Sequence, residues 1–346
     1  MSIPDPAIIG DTAPLQAPFP WFGGKSRVAS EVWDAMGDVK NYVEPFFGSG
    51  AVYLSSPHPH GVATINDRDG YVCNFWRAVR ADPEAVAAIA DSPVMENDLH
   101  ARHAWLVARK GELVARLEGD PDYYDAKIAG WWCWGLCCWI GSGWCASVGP
   151  WHAVDGKLIN TKQPCGTRRK LPHLGDAGRG INRQRPHLNF PMAATALANR
   201  GHLAEWFIRL ADKLGQARVC CGDWTRICGP SPTVKMGLTG VFLDPPYSHG
   251  LRDSELYAVE TDCAAAVLEW CKTNGDNPLL RIVLAGYAGE HDALESLGWR
   301  VQAWKAKGGY GAQGDGRGRD NAHNERIWLS PHCLTAAQRQ SRFGFG

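Results

Sequence analysis

The stretch Val241-Phe242-Leu243-Asp244-Pro245-Pro246-Tyr247 sets a carboxylate, a stiff turn and an aromatic ring directly after three apolar residues. The apolar residues read as a short buried strand. Proline has no N–H to give to a sheet ladder, so the strand must end at or near Asp244. In open α/β sheets, ligands bind outside the carboxyl ends of the strands. A carboxylate held there by two prolines can accept hydrogen bonds from a ligand while the ring stacks on it. Taken alone, the tetrapeptide also fits a strand followed by a Pro-rich turn with an exposed Asp, so the other strand ends have to decide.

Three more strand ends carry acids: Glu44 in "NYVEP", Asp67 in "ATIND" and Asp223 in "ARVCCGDW". Between the first two lies the turn Pro45-Phe46-Phe47-Gly48-Ser49-Gly50, whose glycines let backbone approach a ligand closely. An acid about twenty residues further on, at the end of the second strand, is placed for ribose hydroxyls. Its plain alternative is a solvated strand-end acid. Tyr53 stands where the full G-x-G-x-x-G pattern has its third glycine. A ligand carrying adenosine without a pyrophosphate therefore fits better than a dinucleotide.

The elements that must position these groups alternate. Gly23-Gly24 feeds a helix whose Val28, Val32, Trp33 and Met36 share one face. A strand ends near Glu44, a helix starts at about Ser49, and a second strand ends at Asn66-Asp67, followed by another helix. Residues 84–140 read as helices, a loop-rich stretch follows, and 193–214 return to helix. Strands then end at Asp223 and Asp244. "LLRIVLAGY" is a continuous apolar strand, 289–297 read as a helix, and "WRVQAW" and "ERIWLS" form a late pair of strands. Alternating strand and helix predicts an α/β fold with a parallel sheet. The expected organisation is a loose tail (1–17), a sheet domain (18–94 and 216–332), an insertion (95–215) and a C-terminal tail (333–346).

Of the 346 residues, 45% are apolar, and Lys+Arg and Asp+Glu balance at 36 each. Zero net charge gives no global attraction to nucleic acid, so any basic surface must be local. Between Asp155 and Arg185 eight Lys/Arg stand against two Asp; a solvated loop is the plain alternative. Gly308–Gly318, with Arg317, Arg319 and Arg326, is a second candidate. The first twenty residues lack a basic start and an apolar run, so a cytosolic protein without a secretory signal is expected. Twelve cysteines in so long a chain, several in "WCWGLCCW", read as reduced buried thiols. A zinc site from Cys133, Cys137, Cys138, Cys145 and Cys165 with His152 or His173 lacks the paired C-x₂-C spacing. The charge-free run 128–151 is long enough to span a bilayer. Its tryptophans sit in the middle and Gly141-Ser142-Gly143 interrupts it, so a buried helix and loop is expected, and no membrane partner.

On these motifs the chain resembles the Dam-type (D12 class) DNA adenine methyltransferases. "PWFGGK", with Trp21, Gly23, Gly24 and Lys25, is similar to the family's K-W-A-G-G-K element. "VEPFFGSGAV" resembles its V-E-P-F-x-G-x-G-x-V turn, "NDRD" its acidic motif, "CGDW" its C-x-D-F element, and "DPPY" its catalytic motif. The resemblance implies a Rossmann-like sheet that binds S-adenosylmethionine and releases S-adenosylhomocysteine, with no metal. It places the donor at Trp21, Gly23, Gly24, Lys25, Glu44, Pro45, Phe46, Gly48, Ser49, Gly50, Asp67, Asp223 and Trp224. It makes Asp244, Pro245, Pro246 and Tyr247 catalytic, acting on the exocyclic N6 amine of an adenine flipped out of double-stranded DNA. Cytosine N4, or RNA, through the same site remains open, as does an inactive binding module. The family's N-x-x-G-x-F-N-V-P-Y-G segment is absent, and "WIGSGWCASVGPW" and "NTKQPCGTRRK" stand in its region. There Lys162, Arg168, Arg169, Lys170, Arg183 and Arg185 are candidate phosphate contacts, and Asn160 and Gln163 candidate base readers. Pro164-Cys165 suggests attack on cytosine C5, but it follows a polar stretch rather than a strand end. A monomer is expected.

Overall fold

The computed structural model describes residues 15–21, 23–139, 144–145, 151–154, 157–160, 196–246, 254–304 and 324–338. In chain order the elements are α1 (Ala29–Met36), β1 (Asn41–Glu44), α2 (Ala51–Leu54), β2 (Val62–Asp67), α3 (Gly70–Ala81), α4 (Pro83–Ala90), α5 (Glu96–Gly119) and α6 (Ala126–Cys138). There follow β3 (Trp151–Val154), β4 (Lys157–Asn160), α7 (Ala196–Leu214), β5 (Ala217–Cys221), β6 (Thr239–Leu243), α8 (Ser254–Asn274), β7 (Leu280–Tyr287), β8 (Arg300–Ala303) and β9 (Glu325–Leu329). The chain divides into two compact units, one of residues 21–68 and 216–346, the other of 1–20 and 69–215.

The first unit is built on a seven-stranded sheet of order β5-β2-β1-β6-β7-β9-β8. Strands β5 to β7 run parallel. Strand β9 is antiparallel to both its neighbours. The α/β, Rossmann-like expectation holds. Strands β1 and β6 lie in the middle of the sheet, and every residue of both is buried. Burial on both faces explains why Val241-Phe242-Leu243 reads as a continuous apolar run rather than an alternating one.

Successive side chains in a strand point to opposite faces. On one face Val43, Val241, Leu243, Ile282 and Leu284 pack with Val267 and Cys271 of α8 and with Trp224, Trp299 and Trp328. On the other, the Tyr42 ring lies 4.9 Å from Trp33 of α1 and 5.8 Å from Tyr53 of α2. The buried face of α1 includes Val32, Trp33 and Met36, as its spacing predicts. The strand order reverses between β1 and β6, since β1 has β2 on one side and β6 on the other. Glu44 ends β1, and Asp244 follows β6 by one residue. Two carboxylates therefore flank the crevice where ligands bind in open α/β sheets.

The second unit contains α3 to α7 and a β3–β4 antiparallel hairpin, which falls where the sequence reading begins a loop. Phe19 packs 5.1 Å from both Phe75 and Trp132. Arg77 donates to the carbonyls of Leu117 and Asp120, satisfying the end of α5. Trp132, Trp134 and Trp144 are buried, and Trp144 donates to the Trp132 carbonyl at 3.0 Å. These tryptophans are core. Helix α6, where the charge-free run begins, has 13 residues; among the described residues no helix is long and apolar enough to cross a membrane. Cys133, Cys137, Cys138 and Cys145 are buried free thiols, and no group able to hold a metal occurs among the described residues. Cys165 and His173 lie outside them. In the sheet unit, the helix expected over 289–297 is a 3-10 turn at Asp292–Leu297.

Candidate active site

The turns at the carboxyl end of the sheet are tied together by one side chain. Asn66 is buried, and its amide donates to the carbonyls of Pro45 at 3.1 Å and Gly222 at 3.0 Å. The Phe47 N–H donates to the Asn66 carbonyl, and the Gly222 N–H to that of Asp67. The turns after β1, β2 and β5 thus form one hydrogen-bonded frame. Asp67 Oδ2 accepts the Gly48 N–H at 2.9 Å. Gly48 and Gly50 have φ of 48° and 64°. Their left-handed backbone is open to glycine at little cost. Asp223 caps the following 3-10 turn by accepting from Thr225, and these hydrogen bonds hold its carboxyl below the usual range. Trp224 is buried, its ring 6.2 Å from Phe46.

A small open cavity sits at the β1–β6 switch point. Its wall includes the predicted residues Trp21, Gly23, Gly24, Lys25, Glu44, Phe46, Gly48, Ser49 and Asp244. Pro45, Gly50, Asp67, Asp223, Trp224, Pro245 and Pro246 are not in the wall; Pro245 is buried and Pro246 exposed. Tyr247, Lys162, Gln163, Arg168, Arg169, Lys170, Arg183, Arg185 and the Gly308–Gly318 loop lie outside the described residues. The structure adds participants that sequence reasoning missed, Ala51 and Val52 of α2 among them. Phe47 and Phe242 line the cavity. Glu325, at the start of β9, lies 3.7 Å from Lys25 Nζ. A buried acid opening an apolar strand is the signal that could have found it.

Charge in the cavity is concentrated. Lys25 Nζ lies 3.0 Å from Asp244 Oδ1 and donates to the Gly23 carbonyl at 2.8 Å. Glu44 is buried and accepts from the Tyr42 hydroxyl at 2.8 Å. Burial pushes the Glu44 carboxyl well above the ordinary range; the Asp244 and Asp67 charges add to this, while the Tyr42 hydrogen bond opposes it. Burial pushes the Tyr42 hydroxyl up as well.

The raised Glu44 has a consequence for stability. Below the ordinary carboxylate range both folded and unfolded forms are protonated, and its contribution is fully present. As pH rises past about 4.3 the unfolded form loses its proton first, and folded stability falls until the folded group also ionises. The stability difference between wild type and Glu44→Gln, measured by urea unfolding, is expected to move in favour of the variant by up to about 1.4 kcal/mol per pH unit through that window. A difference flat with pH means that folding does not shift the Glu44 carboxyl.

The strand order and the crevice at its switch point define a Rossmann-like α/β fold, consistent with that of a methyltransferase. Residues 21–111 match the family model for D12 class N6 adenine-specific DNA methyltransferases. That stretch contains the Trp21–Lys25 turn, Glu44, the glycine turn and Asp67. No curated protein matches the chain. The match supports an enzyme of the methyltransferase class with DNA as its substrate.

Proposed function

We propose that the protein transfers a methyl group from S-adenosylmethionine to the N6 amine of an adenine flipped out of double-stranded DNA. The observation that carries this reading is the shared cavity: Asp244 and the Gly48 turn line the same crevice at the switch point. The residues fit the donor. A Cβ on Gly48 would come within 2.5 Å of the Trp21 ring, so the glycine lets that ring close against the turn in the wall of the crevice. The protonated Glu44 at the end of β1 and the Asp67 carboxyl at the end of β2 suit a ligand with hydroxyls.

S-adenosylmethionine supplies a methyl group already activated by its sulfonium. Trp21, Gly23, Gly24 and the Gly48-Ser49-Gly50 turn hold the donor, Asp67 takes its ribose, and Asp223 and Trp224 flank its adenine. An exocyclic amine is a poor nucleophile because its lone pair is delocalised into the ring. Asp244 accepts one of its N–H groups and the Pro245 carbonyl the other, which favours the lone pair localising on nitrogen. Proline competes with no N–H of its own. Tyr247 stacks on the extruded base. Alignment and exclusion of water supply the remainder of the rate.

The test is to incubate the protein with labelled donor and, in separate reactions, duplex DNA or RNA, digest to nucleosides and identify the product by mass. N6-methyladenine is expected. Label in cytosine N4, label only in RNA, or no label overturns the reading.

The insertion completes it as the target-recognition part. Replacing Arg168, Arg169 and Lys170 with alanine is expected to weaken binding to all duplexes alike. The slope of log affinity against log salt should shrink by up to about three, near one per lost phosphate contact. Donor affinity should not change. A salt titration on matched and scrambled duplexes measures this, and an unchanged slope removes the loop from the DNA surface.

A further inference from the structure

Lys25 is only 4% exposed, and its ammonium meets three oxygens. Gly23 contributes its carbonyl at 2.8 Å, Asp244 its Oδ1 at 3.0 Å and Glu325 its Oε2 at 3.7 Å. The Trp304 ring lies 5.8 Å away. Glu325 is itself buried, and its backbone is fixed opposite Tyr287 of β7 and by accepting the Trp304 N–H. A buried ammonium has lost its hydration and needs anionic partners to stay charged. One carboxylate would meet that need, yet the fold delivers two, from the end of β6 and the start of β9.

The family resemblance places Lys25 with the donor. A fixed ammonium is a poor partner for a sulfonium, because like charges repel strongly where water is scarce. We infer that Lys25 is instead the positioning residue for Asp244, and that Glu325 fixes Lys25 in place, so that Glu325–Lys25–Asp244 is one clamp. This rests on the methyl-transfer reading above. Asp244 lies one residue past β6, and its side chain is 21% exposed. The sheet ladder therefore does not set its rotamer. The ammonium 3.0 Å from Oδ1 is a fixed contact that holds the carboxylate where the amine arrives. Glu325 opposes any shift of the ammonium toward Asp244 and so sets the distance between Lys25 and the reacting group. A misplacement of about 1 Å at a reacting centre costs on the order of 10²-fold in rate.

The experiment compares Lys25→Met, Glu325→Gln and the double variant with wild type. Single-turnover methyl transfer to duplex DNA and calorimetric donor affinity are both measured. Lys25→Met should lose about 10²-fold in rate and Glu325→Gln about tenfold, with donor affinity within about twofold of wild type in each. The double variant should transfer at about the rate of Lys25→Met alone, because Glu325 acts on Asp244 only through Lys25. Losses that multiply in the double variant mean that Glu325 acts other than through Lys25, and overturn the clamp. If Glu325→Gln does not fold, Glu325→Asp keeps the charge, shortens the reach and should show a smaller fall in rate. Wild-type rate in the Glu325 variant overturns the clamp, as does a loss of donor affinity in Lys25→Met that matches its loss of rate. A wild-type protein that transfers nothing sinks the functional reading itself, whereas the clamp fails separately when wild type is active and the Glu325 variant equals it.

Discussion

Asp244→Ala is expected to bind the donor normally and to lose methyl transfer by about 10²–10⁴-fold, the worth of one positioned proton-accepting group. The side chain sits at the switch point between β1 and β6, in the same cavity as the glycine turn. Its partner there is Lys25, at 3.0 Å. Removing the carboxylate takes away the acceptor for the target amine and leaves Lys25 with Glu325, which is near enough to keep the ammonium paired. The variant should therefore fold. Single-turnover rate and donor titration separate the two roles. A near wild-type rate sinks the catalytic assignment. A fall in donor affinity as large as the fall in rate moves Asp244 to the donor's side of the cavity.

Asp244 was legible in the sequence because its signals are local. Three apolar residues, an acid and two prolines leave few alternatives to a strand that stops at a sheet edge. Glu44, the Gly48 turn and Asp67 were legible for the same reason, since strand, turn, helix and strand follow one another within thirty residues or so. The clamp was not. Lys25 and Glu325 come from opposite ends of the chain, and only the placement of β9 between β7 and β8 brings them together. Asn66 was read as the end of a strand, and nothing local announces that its amide joins the turns after β1 and β5. The tryptophans of α6 could be read as core or as a stacking surface. Gly135 of α6 decides for Trp144, beyond the end of that helix, since a Cβ there would lie inside the Trp144 ring system, so the ring fills space that only glycine leaves. The segment 292–297 carries helical spacing, but Gly289 and Gly298 in left-handed backbone bound it so closely that a 3-10 turn is what fits.

Gly48→Ala is expected to reduce donor affinity from about 30-fold to a few thousand-fold while leaving the sheet folded. Two costs add. Alanine at φ 48° sits in the left-handed region, at about 1–2 kcal/mol. Its Cβ would come within 2.5 Å of Trp21 Nε1, and overpacking of that kind costs about 1–3 kcal/mol. Together they give about 2–5 kcal/mol, at about 1.4 kcal/mol per tenfold. Trp21 is 37% exposed, so its ring can swing aside rather than clash. It is also a wall of the cavity, and swinging it away opens the site that the turn is there to close. Relaxing the backbone instead breaks the bond from Gly48 N–H to Asp67, which moves the carboxylate assigned to the ribose. Either escape is paid in donor binding, because turn, ring and carboxylate are the parts that hold it. Calorimetry with S-adenosylmethionine reads the loss, and thermal unfolding checks that the sheet survives. Trp21→Ala in the same chain should remove the clash and leave the left-handed strain, so the double variant cannot bind as well as Trp21→Ala alone. Donor affinity of Gly48→Ala within twofold of wild type takes the glycine turn out of the donor site.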